Sequence, residues 1–188
     1  MWRALLKTMR PKQWTKNVFV FAALVFDEKL FQVPLLLRTM VAFVAFCLIS
    51  SAVYIINDIA DIEGDRQHPT KRNRPLAAGK ISPTLAAIGA AALIVPSLAV
   101  AALLSPWVGA ILLAYFLLMV AYSFWLKNLV IIDVITIAIG FLMRVGVGVI
   151  VGEAQRFSPW LYICMTLLAL FLGIGKRRGE IRLLADNA

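Results

Sequence analysis

Residues 34–65 read PLLLRTMVAFVAFCLISSAVYIINDIADIEGD. The stretch joins two kinds of chemistry without a break. Pro34–Asn57 is an apolar run near the ~20 residues that a bilayer-crossing helix needs. It ends in Asn57-Asp58-Ile59-Ala60-Asp61-Ile62-Glu63-Gly64-Asp65. On a helix, Asn57, Asp61 and Asp65 fall at i, i+4 and i+8, with Asp58 at the edge of that face. Clustered carboxylates repel one another unless a cation neutralises them, and hard oxygen donors at this density suit Mg²⁺. Mg²⁺ completes its shell with water and phosphate oxygens. A solvated acidic helix end is the plainer reading. The next residues weigh against it, because Arg66, Lys71, Arg72 and Arg74 follow at once. Acid and base in one membrane-surface loop point to a metal–diphosphate site.

Working outward, the rest of the chain is also membrane-like. Of 188 residues, 62% are hydrophobic, and the mean hydropathy is +0.87. Six apolar segments stand out: Trp14–Phe26 (short, with room to tilt or extend to Leu30), Pro34–Asn57, Thr84–Leu104, Pro106–Leu126, Leu129–Val151 and Pro159–Ile174. Pro34, Pro83, Pro106 and Pro159 lie near helix starts, where proline is tolerated. The expected fold class is all-α, a polytopic transmembrane helical bundle in one domain, 1–188. The formal net charge of +9 is explained by topology and calls for no nucleic-acid partner. One side carries fifteen basic residues: Arg3, Lys7, Arg10, Lys12, Lys16, Arg66, Lys71, Arg72, Arg74, Lys80, Lys127, Lys176, Arg177, Arg178 and Arg182. The other carries Lys29, Arg38 and Arg156. The positive-inside rule then puts both termini and the Asp-rich loop in the cytoplasm of a cell-membrane protein. Met1–Lys16 lacks the short apolar core of a cleavable signal. Cys47 and Cys164 lie in apolar segments without metal-ligand spacing and read as reduced packing residues.

Several further residues are candidates for chemistry. Arg66, Lys71, Arg72 and Arg74 could bind phosphate oxygens, held by Pro69 and Pro75. His68, between them, reads as a loop residue before an acid or ligand. Lys12 and Lys16, at i and i+4, form either a second phosphate clamp or an interfacial anchor with Trp14, and Asn17 lies deeper. Asp133 and Arg144 are costly inside a bilayer and must face a cavity or a partner. Eleven residues apart, they are about 16 Å apart by helix rise and do not pair directly. Each is either substrate-binding or a structural polar lock. Gly140, Gly146, Gly148 and Gly152 suit close helix packing. Tyr54 and Tyr122 read as packing residues near the mouth, and Lys176-Arg177-Arg178 as an anchor.

Four segments together carry a resemblance: Arg10–Asn17 (RPKQWTKN), Asn57–Gly79 (NDIADIEGDRQHPTKRNRPLAAG), Tyr122–Gly148 (YSFWLKNLVIIDVITIAIGFLMRVGVG) and Gly175–Glu180 (GKRRGE). The chain resembles the UbiA superfamily of intramembrane prenyltransferases, through its NDxxDxxxD motif. Within it, the chain is most similar to the decaprenyl-phosphate phosphoribosyltransferase branch. The resemblance implies a helical bundle around a cleft open to cytoplasm and lipid. Asn57, Asp58, Asp61 and Asp65 would hold Mg²⁺ on the diphosphate of phosphoribosyl pyrophosphate, with Asp58, Asp61 and Asp65 as the catalytic carboxylates. Lys12, Lys16, Asn17, Asn57, Arg66, Lys71, Arg72, Arg74, Asp133 and Arg144 would bind substrate, the acceptor being a polyprenyl phosphate. A prenyltransferase using a polyprenyl diphosphate donor is the nearest alternative. The superfamily usually has nine helices and a second Asp-rich motif. About six are expected here and no second motif follows the sixth. The expectation is therefore a C-terminally truncated chain or fragment holding the N-terminal two-thirds of the fold, one completed by a C-terminal partner chain or homo-oligomer, or an inactive half protein.

Overall fold

The computed structural model describes residues 2–154 and 159–185. The described residues are helices joined by short connections. Helices α1 (Trp2–Met9), α2 (Ala22–Phe26), α3 (Val33–Ala60), α4 (Ile62–Gln67), α5 (Pro83–Leu104), α6 (Pro106–Phe124), α7 (Val130–Val151) and α8 (Pro159–Ala185) follow in order. The expected all-α class holds. Proline starts helices because it gives up an amide hydrogen that has no partner there. It occupies the first turn of α3, α5 and α6 and the first residue of α8. Ser82 adds a side-chain cap to α5, accepting from the Leu85 amide at 3.3 Å.

Among the described residues, four helices, α3, α5, α6 and α7, are long and apolar enough to cross a membrane. The apolar part of α8, Tyr162–Gly175, is shorter. The first expected span takes a different form. Pro11–Phe21 is a 3₁₀ helix that passes directly into α2. A 3₁₀ helix rises ≈ 2.0 Å per residue against 1.5 Å for an α-helix, so Pro11–Phe26 covers about 30 Å, the hydrocarbon thickness. Winding the chain out lets a short segment reach across. The buried residues of the 3₁₀ stretch, Asn17 and Val20, are three apart, matching its repeat of three.

α3 is the central helix, touching α1, α5, α6, α7 and the 3₁₀ stretch. Phe46 and Ile49 of α3 pack with Leu112 and Tyr115 of α6 and Val147 and Val151 of α7. Trp107, Leu117, Ile131 and Phe171 point outward, as side chains facing lipid do. Such helices associate through close packing, since lipid is as apolar as their own surfaces. Gly148 is the clearest case: a Cβ there would run into the Val20 backbone carbonyl. Gly140 also faces neighbours, with Met119 Cε 3.3 Å from where a Cβ would be. Gly146 differs from the expectation, having open space around it.

Polar rims close both ends of the bundle. At one end Arg38 pairs with Glu153, and Lys29 Nζ reaches Asp27 at 2.6 Å and the Glu153 carbonyl at 2.6 Å. At the other lie Asp58 and Asp133. Arg38 to Asp58 on α3, and Asp133 to Glu153 along α7, are each twenty residues, or about 30 Å of helix rise. The rims are therefore one hydrocarbon thickness apart.

Candidate functional site

The Asp-rich motif is organised by a break in the helix. α3 ends at Asp61, whose φ of −98° and ψ of 8° separate it from α4. The i to i+4 backbone bonds continue across the break, Asp61 N to Asn57 O at 3.0 Å and Asp65 N to Asp61 O at 2.8 Å. The expected grouping of Asn57, Asp61 and Asp65 nevertheless gives way to two pairs. At 3.6 residues per turn, eight residues drift about 80° around a helix and seven drift only about 20°. Asp65 therefore joins Asp58, not Asn57.

Asp58 and Asp65 are both buried, at 2% and 4% exposure. Arg74 Nη1 lies between them, 3.3 Å from Asp58 Oδ1 and 2.7 Å from Asp65 Oδ2. Arg10 also donates to Asp58 Oδ1. Its guanidinium lies 5.0 Å from the Tyr54 ring centre. Arg10 takes a left-handed conformation, φ 53° and ψ 60°, at the junction of α1 with the 3₁₀ stretch. The second pair is Asn57 and Asp61, with Asn57 Nδ2 donating to Asp61 Oδ2 at 3.3 Å. Lys127, from the turn between α6 and α7, donates to Asp61 Oδ1 at 2.5 Å. A cleft of about 250 Å³ opens beside Asp58, lined also by Lys7, Arg10, Thr70, Asn73, Arg74 and Pro75.

Among the described residues, no three His, Cys, Asp or Glu side chains converge as a ready metal site. Mg²⁺ needs only one or two carboxylates when phosphate and water supply the rest. Asp58 and Asp65 meet that need: both point at one position, which a guanidinium nitrogen now fills. The residues fit the ion, with the Asn57–Asp61 pair adjoining.

Of the other predicted residues, Arg74 reaches Asp58 and Asp65 from the loop after α4. Arg66 pairs with Glu63 at 2.8 Å on the surface. Lys71 and Arg72 are exposed. His68 organises the loop, its Nδ1 within 3.2 Å of the Thr70 amide and 3.1 Å of the Thr70 hydroxyl. Lys12 and Lys16 are exposed on the 3₁₀ stretch. Three residues per turn places i and i+4 about 120° apart there, so the two lysines do not share the face expected of an α-helix.

Asn17 and Arg144 meet deep in the bundle. Arg144 Nε donates to Asn17 Oδ1 at 2.8 Å, Nη1 to the Gly140 carbonyl at 2.5 Å and Nη2 to Tyr115 Oη at 2.8 Å. The Tyr115 ring centre lies 4.8 Å from this guanidinium. Asn17 in turn reaches Ser50 Oγ and Cys47 Sγ at 3.3 Å each. Trp14 Nε1 to Ser51 Oγ, 3.0 Å, continues the polar seam toward Asp58. Asp133 is fully buried and accepts from Tyr122 Oη at 2.6 Å. Arg10 and Lys127 are the residues that sequence reasoning counted only as topology charges. Arg10 opens the RPKQWTKN segment and Lys127 lies in the YSFWLKNLV segment, so the resemblance held a signal for both. The pairing of Lys127 with Asp61, 66 residues away, was not legible from its local sequence.

The UbiA prenyltransferase family matches residues 17–177. The chain belongs to that family. It is 38% identical over 185 residues to the decaprenyl-phosphate phosphoribosyltransferase of Mycobacterium tuberculosis, covering 95% of this chain and 60% of that protein. It is 36% identical to the enzyme of the same name from Mycolicibacterium smegmatis, over 95% of this chain and 57% of the relative. The chain thus spans less than two thirds of these family members. In fold it is similar to a UbiA homolog from Archaeoglobus fulgidus solved with DMAPP and Mg²⁺. The TM-score is 0.76 at 23% identity, covering 88% of this chain and 60% of that one. That likeness shows the helical fold; the family match and the long apolar helices fit a membrane-embedded chain.

Proposed function

We propose that this chain forms the donor-binding part of a membrane phosphoribosyltransferase. It would move 5-phosphoribosyl from phosphoribosyl pyrophosphate to a polyprenyl phosphate such as decaprenyl phosphate, releasing diphosphate. The observation that carries the reading is the convergence of Asp58 and Asp65 on one cation position, beside a cleft bordered by Arg10 and Arg74. The names of its curated relatives support the choice of donor and acceptor.

Asp58 and Asp65, with Asn57 and Asp61 adjoining, would hold Mg²⁺. When bound, the ion supplies charge neutralisation for the leaving diphosphate. Arg10 and Arg74 border the cleft and can donate to phosphate oxygens, where a guanidinium fork binds two oxygens at once. An anionic phosphate acceptor attacks an oxocarbenium-like anomeric carbon without needing a strong base. Cationic side chains then have a second task, to offset repulsion between two anionic substrates. The basic asymmetry supports a mouth at the cytoplasmic face of the cell membrane.

The donor decides the reading. Membranes containing the protein, given labelled phosphoribosyl pyrophosphate and polyprenyl phosphate, should transfer label to the lipid fraction in a Mg²⁺-dependent way. Consumption of polyprenyl diphosphates alone would instead mark a prenyltransferase with the same metal–diphosphate site.

A further inference from the structure

Three acidic and three basic side chains pair at this end of the bundle, in two groups. Asp58 is held by Arg10 and Arg74, Asp65 by Arg74 and Asp61 by Lys127. The three cations come from separate parts of the chain: the α1 junction, the loop after α4 and the α6–α7 turn. Formal charge within the set is balanced, three against three. A divalent ion arriving alone meets carboxylates that already have partners and three cations that repel it. A diphosphate arriving alone meets arginines already held by carboxylates. Arriving together, the ion takes the carboxylates and the phosphates take the released cations, so that each group again has a partner of opposite charge. Charge-assisted hydrogen bonds are strong enough for this exchange to set affinity.

We propose that Arg10, Arg74 and Lys127 are exchangeable counter-ions, which hold the motif's carboxylates when it is empty and pass to the donor's phosphate oxygens when a divalent ion binds. The inference rests on the metal–diphosphate reading above and adds a consequence to it. Metal and diphosphate must bind with positive coupling, each raising the affinity for the other by the same factor. The site then takes neither a free metal ion nor a free diphosphate readily.

The test uses the purified 188-residue chain in detergent, titrated with Mn²⁺ followed by electron paramagnetic resonance, with and without inorganic pyrophosphate. For the unaltered chain, pyrophosphate should tighten Mn²⁺ binding. Arg74→Gln should move the two affinities in opposite directions. Mn²⁺ alone should bind about tenfold tighter and Mn²⁺ with pyrophosphate about tenfold weaker, the scale of one hydrogen bond to a charged group. Lys127→Gln should shift both affinities with the same two signs, and it keeps the test available if Arg74→Gln does not fold. Lys80→Gln, an exposed charge on the same loop, should move neither. A merely structural role for Arg74 would weaken both affinities together, and that result in both variants overturns the exchange while leaving the metal site standing. Absence of Mn²⁺ binding by the unaltered chain, with pyrophosphate present, overturns the metal–diphosphate reading itself and the exchange with it.

Discussion

Asp58 shares one carboxylate oxygen between two arginines and is buried. Asp58→Asn keeps the shape and removes the charge. Loss of Mg²⁺-dependent transfer by about 10²-fold or more is expected, the usual scale for removing one electrostatic contact from a reacting centre. Circular dichroism should show unchanged helix content, and full transfer by the variant would remove Asp58 from the site. Arg144 makes the opposite kind of contribution. Its three nitrogens donate to three separate elements, through Asn17, the Gly140 carbonyl and Tyr115. A lysine cannot reproduce that planar fork. Arg144→Lys should lower stability by about 2 kcal/mol through buried groups left unsatisfied, measured by thermal unfolding in detergent. Unchanged stability would place Arg144 outside the structural lock. The sequence identified Arg144 as costly, but its partner Asn17 lies 127 residues away. Periodicity along one helix does not report a contact between two.

At the scale of elements, the proline-marked starts of α3, α5, α6 and α8 were legible within a residue or so, because proline acts locally. The form of the first span was not. Its composition suits an α-helix, and the 3₁₀ winding reflects the distance to be covered and the surface of α7 it must fit. That fit gives a paired prediction. Gly148→Ala puts a Cβ into the Val20 carbonyl, backbone that cannot swing away. It should cost about 1–3 kcal/mol, the range for overpacking. Gly146→Ala meets nothing within 4 Å and should be neutral or gain up to about 1 kcal/mol of helix propensity. Unfolding both variants in detergent compares them directly; equal stabilities would show that the Val20–Gly148 approach does not hold the first span in place. The break at Asp61 was likewise hidden. The motif was legible as a cluster, while its division into an Asp58–Asp65 pair and an Asn57–Asp61 pair depends on angular drift and on cations from other elements.

At the scale of the whole molecule, two independent lines converge on one orientation axis. The expected topology puts fifteen basic residues on the side that carries Asp58–Lys80. The structure separately sets the Arg38–Glu153 rim and the Asp58 mouth about 30 Å apart by helix rise. Rims one hydrocarbon thickness apart suit the two faces of a membrane, and the charge bias predicts that the mouth faces the cytoplasm. Gln67, beside the mouth, and Gln32, at the start of α3 on the opposite rim, are both exposed. Cys47 is buried and Cys164 exposed, so the probes belong in a background with Cys164→Ser. A membrane-impermeant thiol reagent added outside intact cells should label Gln32→Cys and leave Gln67→Cys untouched. Breaking the cells open should make Gln67→Cys reactive. The reverse pattern would turn the bundle over, and it would take the Asp58 mouth away from any phosphorylated donor made in the cytosol. The same result would then count against the phosphoribosyl reading, whatever the chemistry of the carboxylates.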